Sequence, residues 1–174
     1  MINEVLTCLE SRRSIRNFNQ KPIEEEKLEA ILKAGTFAAN GMGKQSAIIV
    51  AVTDPEVREK IRKMNADIMG TPDADPFYGA PVILIVLADK NVRTYIYDGP
   101  LVMGNLMNAA NSVGVGSIWI HRAKEEFESE EGKALLKEWG IEGDFEGIGH
   151  CAIGYFDGEA PAAAPRKENF VYRV

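Results

Sequence analysis

The chain is poor in the residues that build stapled or metallated folds. Its 174 residues include two cysteines and two histidines. Cys8 and Cys151 stand far apart and give no disulfide framework, so both are expected to be reduced and buried. His150 adjoins Cys151, but neighbours on a strand point to opposite faces and do not easily share one ligand. No other histidine, cysteine or acidic group stands at ligand spacing nearby, and both residues are read as structural. Long apolar runs are also missing. The longest aliphatic stretch, Ala80 to Ala88, is far too short to cross a bilayer. The first residues lack the basic and apolar regions of a signal peptide. There is no excess of positive charge: the net charge is −6, which removes the electrostatic case for nucleic acid as the main partner. A cytoplasmic location is the expectation.

Nucleotide-binding loops are incomplete as well. Gly41-Met42-Gly43-Lys44 looks like the end of a phosphate loop, but Ala38 stands where the first glycine belongs, and Gln45 where a Ser or Thr does. Gly147-Ile148-Gly149-His150-Cys151-Ala152 imitates a dinucleotide fingerprint, yet too little chain follows to complete a Rossmann unit. Within a strand such glycines mark close packing.

What remains is ordinary for a globular protein, with 45% hydrophobic and 26% charged residues. The length suits a single domain over 1–174 with a core of its own. Ile2, Val5, Leu6 and Leu9 carry the stripe of an amphipathic helix. A second helix is expected from near Pro22, with Glu24, Glu25 and Glu26 at its positive end and Gly35 as its cap. Ala47–Val52 reads as a strand, and Asp54-Pro55 opens a third helix carrying Val57, Ile61 and Met64. Residues 65–79, with their prolines and glycines, read as a long loop. Val82–Ala88 is aliphatic on both faces and therefore a buried strand.

The helix expected over Asp98–Val113 is apolar around most of its circumference and needs cover on every side, from the domain's middle or from a second subunit. Gly116–Ile120 is a strand, and Leu135, Leu136 and Trp139 mark a helix closed by Gly140. Residues 147–155 form a last strand, and 157–174 an extended arm. There is no regular βαβ alternation. The expected class is α+β, a mostly antiparallel sheet surrounded by helices.

The strongest local signal is Arg12-Arg13-Ser14-Ile15-Arg16. Three guanidiniums and a hydroxyl at a helix end make an oxyanion or phosphate site with bidentate donors. Alone, such a run is more often a solvated basic turn. Its weight comes from other segments in the chain. These are Ala38-Ala39-Asn40-Gly41-Met42-Gly43-Lys44-Gln45, Asp75-Pro76-Phe77-Tyr78-Gly79-Ala80-Pro81, Asp98-Gly99, Gly114-Val115-Gly116-Ser117-Ile118-Trp119-Ile120 and Pro165-Arg166-Lys167. Together with the arginine run extended to Asn17-Phe18, and in this order, they resemble the nitroreductase family.

The resemblance implies an α+β flavoprotein with FMN at a homodimer interface, both chains contributing to each site. Electrons would pass from NADH or NADPH to a nitroaromatic, a quinone or a similar small acceptor by a ping-pong mechanism. Carried over by position, Arg12, Arg13 and Ser14 would hold the ribityl phosphate and chain, and Arg16 would approach the pyrimidine edge. Asn40 would reach the flavin from the partner subunit, and Gln45 would lie near the ring. The backbone around Ile120 and His121 would face the flavin's N5 and O4, and Arg166 with Lys167 would return to the phosphate. The imidazole of His121 is not needed as an acid, because solvent can supply the proton. Trp119 is read as packing. Phe77 and Tyr78 are either core anchors or covers over the substrate.

The chain departs from the family pattern in three places. Ser46-Ala47 stand where many members have Pro-Trp, and His121-Arg122 where larger members have Glu-Gly. The helical excursion that covers the flavin in those enzymes is absent. The acceptor is thereby left open, as are two alternatives: a flavin-storing protein without turnover, and the same fold performing dehalogenation, dehydrogenation or flavin breakdown.

Overall fold

A computed structural model describes all 174 residues. The first helix, α1 (Glu4–Ser11), is capped by Asn3, whose side chain accepts the Leu6 N–H. The apolar stripe read from the sequence is there, but no residue of α1 is buried. α2 (Glu25–Thr36) begins inside the acidic run, with Glu24 as its N-cap and Glu25 and Glu26 in its first turn, and ends at Phe37. Gly35 is therefore not its cap but lies inside the helix. A Cβ at this position would stand 2.7 Å from side-chain carbons of both Ile49 and Leu106. The glycine is needed for close approach.

β1 (Ala47–Val52) follows, then α3 (Pro55–Met69), whose Asp54 cap accepts from Glu56 and Val57. α3 runs five residues into the segment expected as loop. The residues that break a helix begin only at Gly70, which closes α3 at φ 76°, while Asn65 and Ala66 are buried within it. The real loop, 70–81, is pinned by arginines of α3. Arg58 bonds Asp75 and the Ala80 carbonyl, and Arg62 reaches the Pro72 and Ala74 carbonyls. Phe77 is fully buried, which makes it a core anchor, whereas Tyr78 is exposed with φ 55°.

β2 (Val82–Asp89), α4 (Tyr95–Ser112), β3 (Gly116–Ile120), α5 (Ala123–Glu128), α6 (Glu130–Glu138) and β4 (Phe145–Gly154) complete the regular structure. α4 starts three residues before the expected Asp98. α5 was not visible in the sequence: it is a six-residue helix with few apolar positions. The arm beyond 157 carries one 3₁₀ turn at Glu168–Phe170 and is exposed throughout.

The four strands form one sheet in the order β1-β2-β4-β3, with every pairing antiparallel. Alternation along β2 divides the core. Ile83, Ile85 and Leu87 face one cluster with α3, α5 and α6, while Val82, Leu84 and Val86 face another with α2 and α4. β2 is thus covered on both sides, as its aliphatic sequence requires. The glycines of the false fingerprint mark close packing. A Cβ on Gly147 would lie 2.1 Å from the Ala123 carbonyl, and one on Gly149 would meet the Trp119 ring. Gly147 lets the start of α5 sit directly on β4.

Candidate functional site

The basic segment leaves α1 and runs beside the sheet. Ser14 forms an isolated parallel bridge with Ser117, and the Ile15 N–H donates to the Ser117 carbonyl at 3.1 Å. This fixes Arg12, Arg13 and Ser14 at the start of β3. All three line a cavity of about 540 Å³ together with Arg166 from the carboxy-terminal arm. Glu10 and the small residues Ala163 and Ala164 also contribute. Arg13 spends one nitrogen on the Glu10 and Arg12 carbonyls, and Arg166 is held by the Ala164 carbonyl. Nη1 of Arg12 is buried without any hydrogen-bond partner. A buried guanidinium donor with no acceptor is costly, and the residue that carries it also lines the cationic cavity.

Arg12 also lies near Cys151. Burial pushes that thiol up to about 12, with the guanidinium pulling weakly the other way. Cys151 is therefore a protonated, inert core residue. His150, its neighbour, points to the opposite face and pairs with Glu126 at 2.9 Å. No group of three or more His, Cys, Asp or Glu residues is arranged to hold a metal ion.

At the far end of β3, Ile120 is buried and pairs with His150, while His121 is exposed. The N–H groups of His121 and Arg122 donate to no acceptor in the chain. Arg122 has φ 79°, a left-handed conformation that costs a side-chain-bearing residue about 1 kcal/mol. From Ser117 to Ile120 the strand advances about 10 Å, so the cationic cavity and the two free N–H groups mark opposite ends of one edge.

Asn40 and Gln45 are brought together elsewhere. The Asn40 side chain accepts the Gln45 N–H at 3.0 Å, and both line a separate cavity of about 240 Å³ between α2, β1 and α4. None of the residues around the cationic cavity takes part in this one. The loop is strained, with Met42 at φ 54° and Gln45 at φ 49°, and Asp98 holds it. Its carboxylate accepts from the Gly41 N–H, the Ser46 hydroxyl and the Thr94 hydroxyl. Arg16 is exposed and lines neither cavity; Lys167 stands over the Phe170 ring instead. Sequence reasoning missed the anchoring role of Asp98 and all of Asn65 and Glu126, and met Arg122 only as a departure from the family pattern. Buried polar residues carry no periodicity signal, and their partners come from distant elements.

Three comparisons bear on this arrangement. The family model described as "Nitroreductase family" matches residues 9–155. A protein of Archaeoglobus fulgidus, provisionally named an NADH dehydrogenase/NAD(P)H nitroreductase, is 28% identical over 159 residues, which cover 88% of this chain and 86% of that protein. The FMN reductase [NAD(P)H] of Bacillus subtilis is 27% identical over 139 residues, covering 67% of this chain and 53% of that protein. This chain thus spans only about half of the longer relative. The crystal structure of a nitroreductase with bound FMN from Bacteroides fragilis superposes with a TM-score of 0.90 at 26% identity, covering 99% of this chain and 100% of that one. With the family model matched over most of its length and the antiparallel α+β sheet reproduced, the chain belongs to the nitroreductase family.

Proposed function

We propose that this chain is an FMN-dependent oxidoreductase that takes electrons from NADH or NADPH and passes them to a nitroaromatic, a quinone or a similar small acceptor. The observation that carries this reading is the convergence of Arg12, whose buried Nη1 has no partner, with Arg13, Ser14 and Arg166 around one cavity. That donor set suits a phosphate monoester, which offers three acceptor oxygens to bidentate guanidiniums. FMN held there would supply the two-electron redox chemistry that links the nicotinamide donor to the acceptor in a ping-pong cycle.

The protein's part is binding and orientation. Arg12, Arg13, Ser14 and Arg166 hold the phosphate, and Lys167 on the same arm adds charge nearby. Ile120 backs the ring, and the free N–H groups of His121 and Arg122 face its acceptor atoms. Arg16, exposed two residues beyond Ser14, serves the pyrimidine edge. The His121 imidazole is exposed, and solvent provides the proton.

Asn40 and Gln45 sit apart from this edge on the same chain, which supports their reaching the site of a second copy. A homodimer is supported further by the uncovered apolar residues of α1, by Tyr97 and Leu101 on α4, and by Phe170, Val171 and Tyr172 on the arm. Residues 1–174 act as one domain, with 157–174 as the arm. No helix is long and apolar enough to cross a membrane, and both cysteines are free. These features and the nicotinamide donor suit the cytoplasm.

The test is an absorption spectrum after incubation with FMN and gel filtration, followed by NADH oxidation with an added quinone. Flavin bands should be retained, and turnover should be sustained. Arg12→Ala combined with Arg166→Ala should weaken FMN retention at least about tenfold, the loss of one to two charge-assisted hydrogen bonds. A wild-type protein that takes up no FMN refutes the assignment.

A further inference from the structure

Beneath the 121–122 turn lies a polar cluster that the chemistry above does not use. Asn65 from α3, Glu126 from α5 and His150 from β4 each have no exposed surface. Burying an amide, a carboxylate and an imidazole together is tolerable only if their donors and acceptors are matched. Apolar side chains of similar size would serve stability as well or better. The cluster therefore points to a task other than holding the core together.

Its contacts converge on one peptide. Asn65 Nδ2 donates to the His121 carbonyl at 2.9 Å, and Asn65 Oδ1 accepts from Arg122 Nε at 2.8 Å. The other Nδ2 hydrogen goes to Glu126 Oε1. Glu126 Oε2 faces His150 Nε2 at 2.9 Å, and His150 Nδ1 has no partner. The tautomer that satisfies the pair therefore carries its proton on Nε2 and donates it to the carboxylate. Asn65 cannot turn its amide over, because that would set its oxygen against Glu126. A trans peptide is planar, so its C=O and the following N–H point in opposite directions. Drawing the His121 carbonyl inward thus turns the Arg122 N–H outward, where the chain offers it no acceptor. The same anchor opposes relaxation of the left-handed Arg122 by a peptide flip.

We propose that Asn65, locked by the buried Glu126–His150 pair, is the positioning residue that aims the Arg122 N–H at the acceptor edge of the bound flavin. This rests on the FMN assignment above, and the test separates the two.

Wild type, Asn65→Leu and Asn65→Ser are compared by amide hydrogen exchange without ligand, and by FMN affinity, flavin reduction potential and steady-state kinetics with it. Exchange of the Glu126 N–H, which donates to the Arg122 carbonyl, should quicken about tenfold in the variants, as the turn that carries its acceptor loses one buried hydrogen bond. FMN affinity should change less than about threefold, because the phosphate cluster is remote. The reduction potential should move, and kcat should fall about tenfold with KM nearly constant. If Asn65→Leu does not fold, Asn65→Ser, which leaves room for a water, carries the comparison. Variants with unchanged potential and kcat overturn the positioning role while the FMN assignment stands, even if exchange quickens. A wild type that retains no FMN overturns both.

Discussion

The carboxylate of Asp98 is buried yet meets no cation; its three partners are the Gly41 N–H and the Ser46 and Thr94 hydroxyls. Burial on its own pushes the carboxyl up, but the hydrogen bonds from Ser46, Gly41 and Thr94 outweigh it and hold the pKa below the usual carboxylate value. A depressed pKa contributes stability that is full above the unfolded value of about 3.9 and is lost as pH falls through the lower folded value. Asp98→Ala should therefore cost about 2–3 kcal/mol near neutrality, from three donors left without their acceptor. The gap to wild type should narrow at pH 3. Denaturant melts at the two pH values decide it, and a gap that stays constant would contradict the assignment. At this scale the sequence was legible where the chemistry is contiguous. The arginine run could be picked out because three guanidiniums fall within five residues, although alone it also fits a solvated basic turn and the other family segments gave it its weight. Asp98 was visible only as the opening of a helix, since its partners lie up to 57 residues away.

Elements were legible where periodicity or punctuation is strong. β1, β2 and β3 and the Asp54-Pro55 start of α3 stand where the patterns put them. The failures have local causes. α3 outlasts its expected end because turn-forming residues thicken only from Gly70 onward, and tertiary burial of Asn65 and Ala66 carries the helix to that point. α5 is too short to show a period, yet it brings Glu126 to His150. The corner between α5 and α6 depends on Gly132, where a Cβ would stand 2.0 Å from the Glu126 carbonyl and 2.7 Å from the Phe127 Cα. Both obstacles are backbone and cannot yield cheaply. Gly132→Ala should destabilise by roughly 1–3 kcal/mol and displace Glu126 from the cluster. A thermal melt indistinguishable from wild type would show that the corner gives way more easily than this packing allows.

For the whole molecule, composition and element order led to α+β and an antiparallel sheet, but the strand order could not be read. Pairing of β2 with β4 depends on which aliphatic faces meet, and several strands carry interchangeable faces. Periodicity gave no sign that the candidate residues would line two cavities; the family resemblance alone implied that Asn40 would reach a flavin on a second chain. One chain presents Arg12, Arg13, Ser14 and Arg166 around one cavity, and Asn40 with Gln45 around another. The two cavities share no lining residue, whereas a symmetric pair can bring one set from each chain to each of two sites. The seam of such a pair would fall on exposed apolar residues, among them Val5, Leu9, Tyr97 and Leu101. Leu101→Glu tests this, because the side chain is half exposed in the isolated chain and its replacement need not disturb the core. Sedimentation velocity should show a dimer for wild type and a folded monomer for the variant. The monomer should also lose FMN on gel filtration, although every arginine around the phosphate cavity is intact. A monomeric variant that keeps its flavin would mean that one chain suffices and that Asn40 and Gln45 have some other role.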